Sequence, residues 1–251
     1  MKQIHFLLCT VVILVFWSCE NREGKQGVIG PPGPSLKGTI SGFVRMYDEY
    51  SNQLSTANGA VISLEGTSFA IQSDSLGKWK LQSVPTGIYS IDFIKNGFGI
   101  NKRLGFQFVG GGETFLGSVP IAEVPSYNVI NLTVAVNDSQ KYFQLSGNFS
   151  TVGMVNKIRR VLFCVGRDSS VSSEPLHYLY TFLETYDADS INFTRRIFAS
   201  TVPDIPEETP VYFTAYGISA FVISYVDFET GRLVYPSVSL NRSNVVNVVK
   251  P

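Results

Sequence analysis

The sequence predicts an all-β protein in which two β-sandwich modules follow one another behind an N-terminal export segment. From residue 38 onward, short runs of alternating apolar and polar residues recur along the chain, which is the pattern of half-buried strands. Glycine, proline and aspartate lie between these runs and mark turns. The stiff segment PIAEVP at residues 120–125 divides the runs into two groups, so we expect two modules in tandem.

The composition is that of a globular protein without a strong charge. Of 251 residues, 44% are hydrophobic and 16% are charged, and 20 Lys plus Arg balance 20 Asp plus Glu. That apolar fraction is enough to build cores, which excludes a disordered polyelectrolyte. Non-specific nucleic-acid binding needs a basic excess that displaces counterions, so we expect no nucleic-acid partner.

Residues 1–18 have the pattern of a secretory signal peptide. Lys2 precedes the apolar run Phe6–Trp17, which as a helix would span about 18 Å, whereas a hydrocarbon core is about 30 Å thick. The run is therefore a signal-peptide core rather than a membrane span. It ends in Phe16-Trp17-Ser18-Cys19, which resembles the lipobox of bacterial lipoproteins. The resemblance implies cleavage before Cys19 and a diacylglycerol on its sulfur; an ordinary signal peptide with an incidental cysteine is the alternative.

Residues 19–37 are predicted to form a Gly/Pro-rich, collagen-like spacer that carries the lipid anchor. Glycine recurs at every third position from Gly24 to Gly33, with prolines between the later ones. Gly-X-Y repeats with proline are the composition of collagen, but these few triplets are too short for a stable triple helix. We expect an extended tether that holds the modules away from the bilayer. A trimerising stem is the alternative.

The acidic residues Glu20 and Glu23, beside the predicted lipid, resemble the surface-export signals of lipoproteins in Bacteroidota-type bacteria. The resemblance implies a lipid-anchored protein of the outer membrane that is exposed at the cell surface, with a periplasmic orientation as the alternative. No later run reaches 18 consecutive apolar residues. The membrane is therefore an expected partner through the N-terminal lipid alone.

The first module is predicted to span residues 38–122 and to contain about seven short strands. Asp74 and Gly77 bracket a tight turn, because aspartate hydrogen-bonds its own backbone and glycine adopts positive φ. Alternation predicts which side chains of the strands face the core. They include Ile40, Val44, Met46, Ala60, Ile62, Leu64, Trp79, Leu81, Ile91 and Phe93.

The stretch Ser73–Ile91 (SDSLGKWKLQSVPTGIYSI) closely resembles the core motif of carboxypeptidase-regulatory-like domains. Gly38–Val44 and Ala60–Gly66 resemble the opening strands of the same family. The resemblance implies a transthyretin-like β-sandwich, generally non-catalytic, that serves as a folding, spacing or contact module. Turns and core packing explain the motif residues, so no functional site carries over, and Trp79 is expected in the core.

The second module is predicted to span residues 125–251. The spacing of its strand and turn patterns predicts a sandwich of seven to nine strands, immunoglobulin- or fibronectin-III-like. The expected strands are 129–136, 142–149, 158–165, 177–184, 191–198, 211–216, 220–227, 233–240 and 245–249. Ile205–Ala215 resembles the fibronectin-III E–F corner, although Val211 stands where that pattern has tyrosine. Asp227–Gly231 predicts a hairpin turn.

The sequence offers few groups for catalysis or metal binding. After signal cleavage His177 is the only histidine, and alternation places it in a strand. Neither a CxxC nor an HExxH motif is present, so a zinc site is not expected. Asp187 and Asp189 predict a solvated turn, with calcium binding as the alternative. We therefore predict a protein that is not an enzyme, with no catalytic residues, no cofactor and no metal.

Three tyrosines are the candidate contacts for a ligand or partner. Tyr178, Tyr180 and Tyr186 cluster in sequence, and as an exposed stripe their rings would stack on sugars or pack against a protein. Ordinary aromatic packing on a sheet is the alternative. Cys164 lies in an apolar run and is expected to be a small core residue.

The arrangement as a whole resembles accessory surface lipoproteins of Bacteroidota-type bacteria. The resemblance implies a non-catalytic binding or scaffolding module of the cell envelope, accessory to outer-membrane uptake of glycans or peptides, or to adhesion. The implied partners are a TonB-dependent transporter complex or a surface glycan. The alternatives are a polysaccharide-acting hydrolase that uses carboxylates of the second module, and a purely structural envelope stalk.

Overall fold

The computed structural model describes residues 36–251, in which every regular element is a β-strand except the 3-10 helix Ala199–Thr201. The strands form several sheets stacked as sandwich-like modules, which confirms the predicted all-β fold class. No helix in this part of the chain has the length and apolar character needed to cross a membrane. The signal peptide 1–18, the lipid attachment at Cys19 and nearly all of the spacer 19–37 lie outside the described residues.

Seven strands form the first sandwich. They are β1 (Lys37–Tyr47), β2 (Val61–Leu64), β3 (Ala70–Gln72), β4 (Lys78–Pro85), β5 (Gly87–Ile94), β6 (Asn101–Phe108) and β7 (Glu113–Ala122). One sheet has the order β4-β1-β7 and the other has the order β3-β2-β5-β6. The strands pair antiparallel except for β1 and β7, which run parallel. The strand number agrees with the sequence prediction.

Alternation along the strands builds the core of the first sandwich. Ile40, Val44 and Met46 of β1 are buried between the two sheets, as predicted. Trp79 is buried on β4, and its ring meets the Phe93 ring of the facing sheet edge to face, with centroids 5.8 Å apart. The neighbouring β4 side chains Lys78, Lys80 and Gln82 are exposed. The alternation of buried and exposed side chains in this strand therefore follows the sequence pattern.

A tight turn at Asp74–Gly77 joins β3 to β4. The Oδ1 atom of Asp74 accepts hydrogen bonds from the backbone N–H groups of Leu76 (3.0 Å) and Lys78 (2.8 Å). Gly77 has φ +80°, and a Cβ atom at this position would lie 2.1 Å from the carbonyl oxygen of Val44. The predicted turn is confirmed, and it requires glycine both for its backbone conformation and for space.

The second sandwich follows with nine strands. They are β8 (Val129–Asn137), β9 (Tyr142–Phe149), β10 (Ile158–Gly166), β11 (Tyr180–Asp187), β12 (Asn192–Phe198), β13 (Pro210–Ile218), β14 (Tyr225–Val226), β15 (Leu233–Val234) and β16 (Val246–Val249). One sheet has the order β12-β9-β8, the other has the order β11-β10-β13-β16, and β14 with β15 forms a separate hairpin. In immunoglobulin lettering, and in the same order, the first sheet is E-B-A and the second is C′-C-F-G.

The four-stranded sheet of the second sandwich is covered on both faces. Phe163 of β10 packs into the core between the two sheets, whereas Leu162 and Cys164 face the opposite side. There they meet Val171 and Tyr235, which come from segments that cross over the sheet. Because both faces are covered, β10 is a continuous apolar run rather than an alternating one. Cys164 is fully buried, as predicted.

The predicted strands 220–227 and 233–240 are wrong over most of their length, since the strands there are limited to Tyr225–Val226 and Leu233–Val234. Val238 adds only an isolated bridge to Ile218. Serine side chains explain the difference for the segment beside β13. The Oγ atom of Ser239 accepts a hydrogen bond from Gly217 N–H (3.1 Å), and Ser243 Oγ accepts one from Ala215 N–H (2.9 Å). These hydroxyls replace the carbonyl acceptors of a regular ladder, so the segment follows β13 without forming a strand.

Hydrogen bonds join the two sandwiches. Ser126 donates to the Glu49 carboxylate from its backbone N–H (2.8 Å) and from its hydroxyl (2.8 Å). The backbone N–H of Ala220 donates to the Glu49 carbonyl (2.8 Å), and the Ser237 hydroxyl donates to the Ala122 carbonyl (3.0 Å). These contacts hold the second sandwich beside the first and bring the segment 236–240 against residues 98–100.

Candidate binding groove

A groove runs along residues 173–177, the end of the loop between β10 and β11. It consists of three adjoining depressions, of about 390, 250 and 190 Å³. The first and second depressions share Glu174, and the second and third share Leu176 and His177. The three therefore lie next to one another along this segment, and together we call them the 173–177 groove. It begins at the junction between the sandwiches, where ligand sites of proteins are often found.

The first depression lies between the sandwiches. Phe98, Gly99, Ile100 and Val124 form one wall, and Tyr216 with the segment Pro236–Leu240 contributes to the other. Leu240 is 89% exposed and Ile100 is 43% exposed, so this end of the groove offers apolar surface to a ligand. Leu176, in the second and third depressions, is 73% exposed.

Hydrogen bonds from distant residues fix the loop that lines the groove. Arg232 Nη1 donates to the Pro175 carbonyl (2.6 Å), and Arg242 Nη1 donates to the Val171 carbonyl (2.6 Å). Within the loop, the His177 N–H donates to the Glu174 carbonyl (2.9 Å). The sequence predicted that this strand begins at His177. The turn explains why β11 begins at Tyr180 instead. A loop fixed in this way is preformed for binding.

The hairpin β14–β15 supplies a wall of the second depression through Asp227, Glu229 and Thr230. The Asp227 carboxylate accepts hydrogen bonds from the Thr230 hydroxyl (2.6 Å) and from the Thr230 N–H (2.8 Å). These bonds, that of the hydroxyl foremost, lower the pKa of Asp227. Gly231 has φ +68°, which confirms the predicted hairpin turn with glycine in the left-handed position.

The charged side chains differ between the depressions. Glu174, Asp227 and Glu229 line the second, whereas Arg167 and Arg232 line the third together with Asp168. His177 lies between them, and its Nδ1 atom is 3.1 Å from the Ser172 hydroxyl. Carboxylates that accept hydrogen bonds therefore lie near guanidinium groups that donate them, beside the apolar side chain of Leu176.

The three tyrosines singled out from the sequence do not form one stripe. Tyr178 is buried beneath the groove, where its hydroxyl donates to the Leu233 carbonyl and Arg232 lies over its ring. Burial raises the pKa of Tyr178 to about 12. The Tyr180 hydroxyl donates to the Asp204 carboxylate (2.6 Å), and Tyr186 packs against Phe149 and Phe193. Of the three, only Tyr178 lines the groove, and ligand contact by any of them stays a prediction.

Sequence reasoning missed the residues that give the groove its apolar surface. Leu176 stands next to Pro175, and Leu240 ends a serine-containing segment. Single exposed apolar residues are common on protein surfaces, so neither residue carried a signal of its own. Their common role depends on two loops that meet only in the folded chain.

Other candidate chemistry does not gather in the described residues. Between residues 36 and 251 no group of three or more His, Cys, Asp or Glu side chains is placed to hold a metal ion. Burial raises the pKa of the Cys164 thiol, which therefore stays protonated at neutral pH. Asp187 and Asp189 flank Ala188 at the end of β11, where the Ser190 N–H donates to the Asp187 carbonyl in a turn.

No protein-family model matches the chain, and no curated protein matches it either. Among solved structures, the chain is similar to a "putative carbohydrate binding protein" from Bacteroides uniformis. The two are 15% identical, the match covers 85% of this chain and 99% of that chain, and the TM-score is 0.35.

Two DUF3823 family proteins are also similar to the chain. The protein from Parabacteroides merdae is 13% identical over 84% of this chain and 100% of that chain, with a TM-score of 0.29. The protein from Bacteroides ovatus is 12% identical over 86% of this chain and 100% of that chain, with a TM-score of 0.31. Likenesses of this size assign neither a family nor a function.

Proposed function

We propose that this chain is a non-catalytic lipoprotein of the cell envelope that binds glycan chains in the 173–177 groove. The observation that carries the proposal is that three depressions lie next to one another along residues 173–177. An oligosaccharide presents the same kind of ring several times in a row, so it can contact each depression in turn. The exposed side chains of Leu176 and Leu240 offer the apolar contacts, and the carboxylates and guanidinium groups offer hydrogen bonds to hydroxyls.

The walls of the groove favour a glycan over an extended peptide. A peptide that binds a β-protein in extended form gains much of its affinity by pairing with a free strand edge. The 173–177 groove is walled by loops, by the hairpin turn at Asp227–Gly231 and by the irregular segment 236–240. Recognition there has to come from side chains and from fixed loop carbonyls, which suits a ligand rich in hydroxyl groups.

The position in the cell is part of the same proposal and is supported by the sequence of residues 1–37. The lipid on Cys19 holds the protein in the outer membrane, and the Gly/Pro-rich spacer extends the sandwiches outward from the cell surface. There the groove captures glycan and delivers it to a TonB-dependent transporter complex. Adhesion to a surface glycan uses the same groove without the transporter.

Affinity electrophoresis tests the glycan groove. The full-length protein, purified in detergent micelles, is run through native gels that contain starch, xylan, mannan or dextran. We expect at least one of these neutral polysaccharides to retard the protein. Leu176→Asp places a charge on the apolar surface of the groove and should abolish the retardation. Ile88→Asp is the matched control, because Ile88 is 74% exposed on the first sandwich and Leu176 is 73% exposed.

Three results would contradict this proposal. Free migration of the wild-type protein in all four gels would remove the glycan ligand and favour the structural stalk. Equal retardation of the wild type and of Leu176→Asp would place any binding outside the groove. Release of reducing ends during incubation with the retarding polysaccharide would replace binding by hydrolysis.

Hydrolysis is the second candidate because Glu174, Asp227 and Glu229 line one depression. Glycoside hydrolases use a pair of carboxyl groups that flank the scissile bond. The lowered pKa of Asp227 keeps it ionised, as a nucleophile or general base must be. If reducing ends appear, Asp227→Asn and Glu174→Gln should each abolish their release while leaving the retardation in place.

A further inference from the structure

A second cavity lies on the first sandwich, far along the chain from the 173–177 groove. It has a volume of about 250 Å³ and is bordered by β1, by the loop 53–57 and by the turn before β4. The residues that line it are Phe43, Arg45, Gln53, Ser55 and Ser75, together with the apolar residues Met46, Leu54, Ala57 and Leu76. We call it the Arg45 pocket.

Backbone hydrogen bonds hold the walls of the Arg45 pocket in place. The Leu54 N–H donates to the Met46 carbonyl (2.8 Å), which ties the loop to β1. The Ala57 N–H donates to the Ser75 carbonyl (3.0 Å), which ties the same loop to the turn before β4. The pocket is therefore part of the folded sandwich and does not depend on a mobile side chain for its shape.

Arg45 is an exposed cation without a counter-ion of its own. Its guanidinium carbon lies 5.8 Å from the centroid of the Phe43 ring. Within residues 36–251 the guanidinium makes no ion pair, and none of the residues that line the pocket is acidic. Lys78 stands directly opposite Phe43 in the antiparallel pairing of β1 and β4, and its side chain is exposed. Two cationic residues, Arg45 and Lys78, therefore lie near the ring.

We infer that the Arg45 pocket binds a uronic-acid residue of an acidic glycan. The planar fork of Arg45 suits bidentate hydrogen bonding to a carboxylate. The half-buried Phe43 ring, which packs edge to face with Phe115, offers apolar surface beside the guanidinium for the sugar ring. The amide of Gln53 and the hydroxyls of Ser55 and Ser75 can bind the hydroxyl groups of the sugar. The chain would thus hold glycans at two sites, one on each sandwich.

An acidic peptide is disfavoured at this place by the pairing of β1. Strand β1 is hydrogen-bonded to β4 on one side and to β7 on the other. Strand β1, which carries Phe43 and Arg45, therefore has no free edge for the backbone of an extended peptide to join. The pocket is also smaller than the sites of about 300–1,000 Å³ that hold drug-sized ligands, and it suits a single ring with its carboxylate.

Calorimetric titration with oligogalacturonate tests the inference, with the full-length protein in detergent micelles. We expect binding to the wild type, and binding at least about tenfold weaker to fully methyl-esterified oligogalacturonate, which keeps the rings and loses the charge. Arg45→Gln should weaken binding of the acid form by a similar factor. Arg45→Lys, which keeps the charge but loses the fork, should give an intermediate affinity.

Arg103→Gln is the matched control. Arg103 is also exposed on the first sandwich, and its guanidinium carbon lies 5.5 Å from the centroid of the half-buried Phe106 ring, but it does not line the Arg45 pocket. Its removal should leave the affinity unchanged. Leu176→Asp, in the 173–177 groove, should leave it unchanged as well, so the two sites can fail separately.

The inference is overturned by any of four results. These are no heat of binding with oligogalacturonate, equal affinity for the acid and its methyl ester, equal losses in Arg45→Gln and Arg103→Gln, and binding of poly-glutamate with the same affinity and the same dependence on Arg45. The last result would make the ligand an acidic peptide.

Discussion

The ring of Phe221 in the second sandwich lies parallel to the ring of Tyr47 in the first, with centroids 3.6 Å apart and 6° between the ring planes. Tyr47 is the last residue of β1, and Phe221 follows Ala220, whose N–H donates to Glu49. The stacked pair and the backbone hydrogen bond therefore act at the same place. They couple the two sandwiches close to the start of the 173–177 groove.

Phe221→Ala should uncouple the two sandwiches. The variant loses an aromatic pair and its buried area, so we expect the free energy of unfolding to fall by about 1–2 kcal/mol. Scanning calorimetry should then separate one broad transition into two. Phe198→Ala is the control, since Phe198 is 52% exposed on the second sandwich and should leave the transition shape unchanged. A single unaltered transition in Phe221→Ala would show that other contacts couple the sandwiches.

Gly77→Ala should be much more destabilising than Gly66→Ala. Both glycines have positive φ, +80° and +74°, but a Cβ atom at Gly77 would lie 2.1 Å from the Val44 carbonyl oxygen, whereas nothing lies within 4 Å at Gly66. We expect Gly66→Ala to cost about 1–2 kcal/mol for the backbone alone. Gly77→Ala adds the clash and should exceed about 3 kcal/mol. Urea denaturation measures both, and equal costs would mean that the turn shifts to admit the methyl group.

Stability should fall as the pH rises above the ordinary pKa of a thiol. Burial raises the pKa of Cys164 above the ordinary thiol value of 9.0, so the folded state keeps its proton where the unfolded state has lost it. The contribution of this thiol to the free energy of unfolding is fully present below pH 9.0. It is lost as the pH rises, at up to about 1.4 kcal/mol per pH unit.

Denaturant titrations between pH 9 and 10 should detect this loss. Cys164→Ala should flatten the slope of the free energy of unfolding against pH in that window. Tyr178→Phe is the control, because the pKa of Tyr178 is raised from 10.0 to about 12 and its effect begins at higher pH. An unchanged slope in Cys164→Ala would mean that the thiol is exposed to solvent.

Cys19→Ala should move the protein from the membrane fraction to the soluble fraction of the cell. The lipid on Cys19 is the only membrane attachment expected from the sequence, and several acyl chains on one residue anchor a protein firmly. Cys164→Ala, which alters the buried cysteine of β10, should leave the protein in the membrane fraction. Retention of Cys19→Ala in the membrane would refute the lipobox interpretation.

Local patterns predicted most strands well. In β4 the alternation of Trp79 and Leu81 with lysines placed each side chain on the correct face. The face to which a side chain of a strand points depends only on the order of the residues. The turn at Asp74–Gly77 was predictable for the same reason, since its hydrogen bonds stay within a few residues. The segment 233–240 was misread because its partner groups on β13 are about twenty residues away.

The groove residues illustrate what pattern reasoning misses. Tyr178 was singled out for its neighbours in sequence, yet it lies beneath the groove, with its hydroxyl bonded to Leu233. Leu240 had no distinguishing neighbours and is the most exposed apolar side chain in the groove. Exposure depends on which segments cover a residue, and no local pattern reports that.

The sequence by itself determined the strand content, the inward faces and the tight turns, because hydrophobic alternation and turn chemistry act between near neighbours. Only the tertiary structure decided where a ligand can bind. The 173–177 groove brings Phe98 against Leu240, and the Arg45 pocket sets Phe43 beside Ser75. Such surfaces arise when segments distant in sequence are held together by backbone hydrogen bonds and packed cores, which are properties of the whole folded chain.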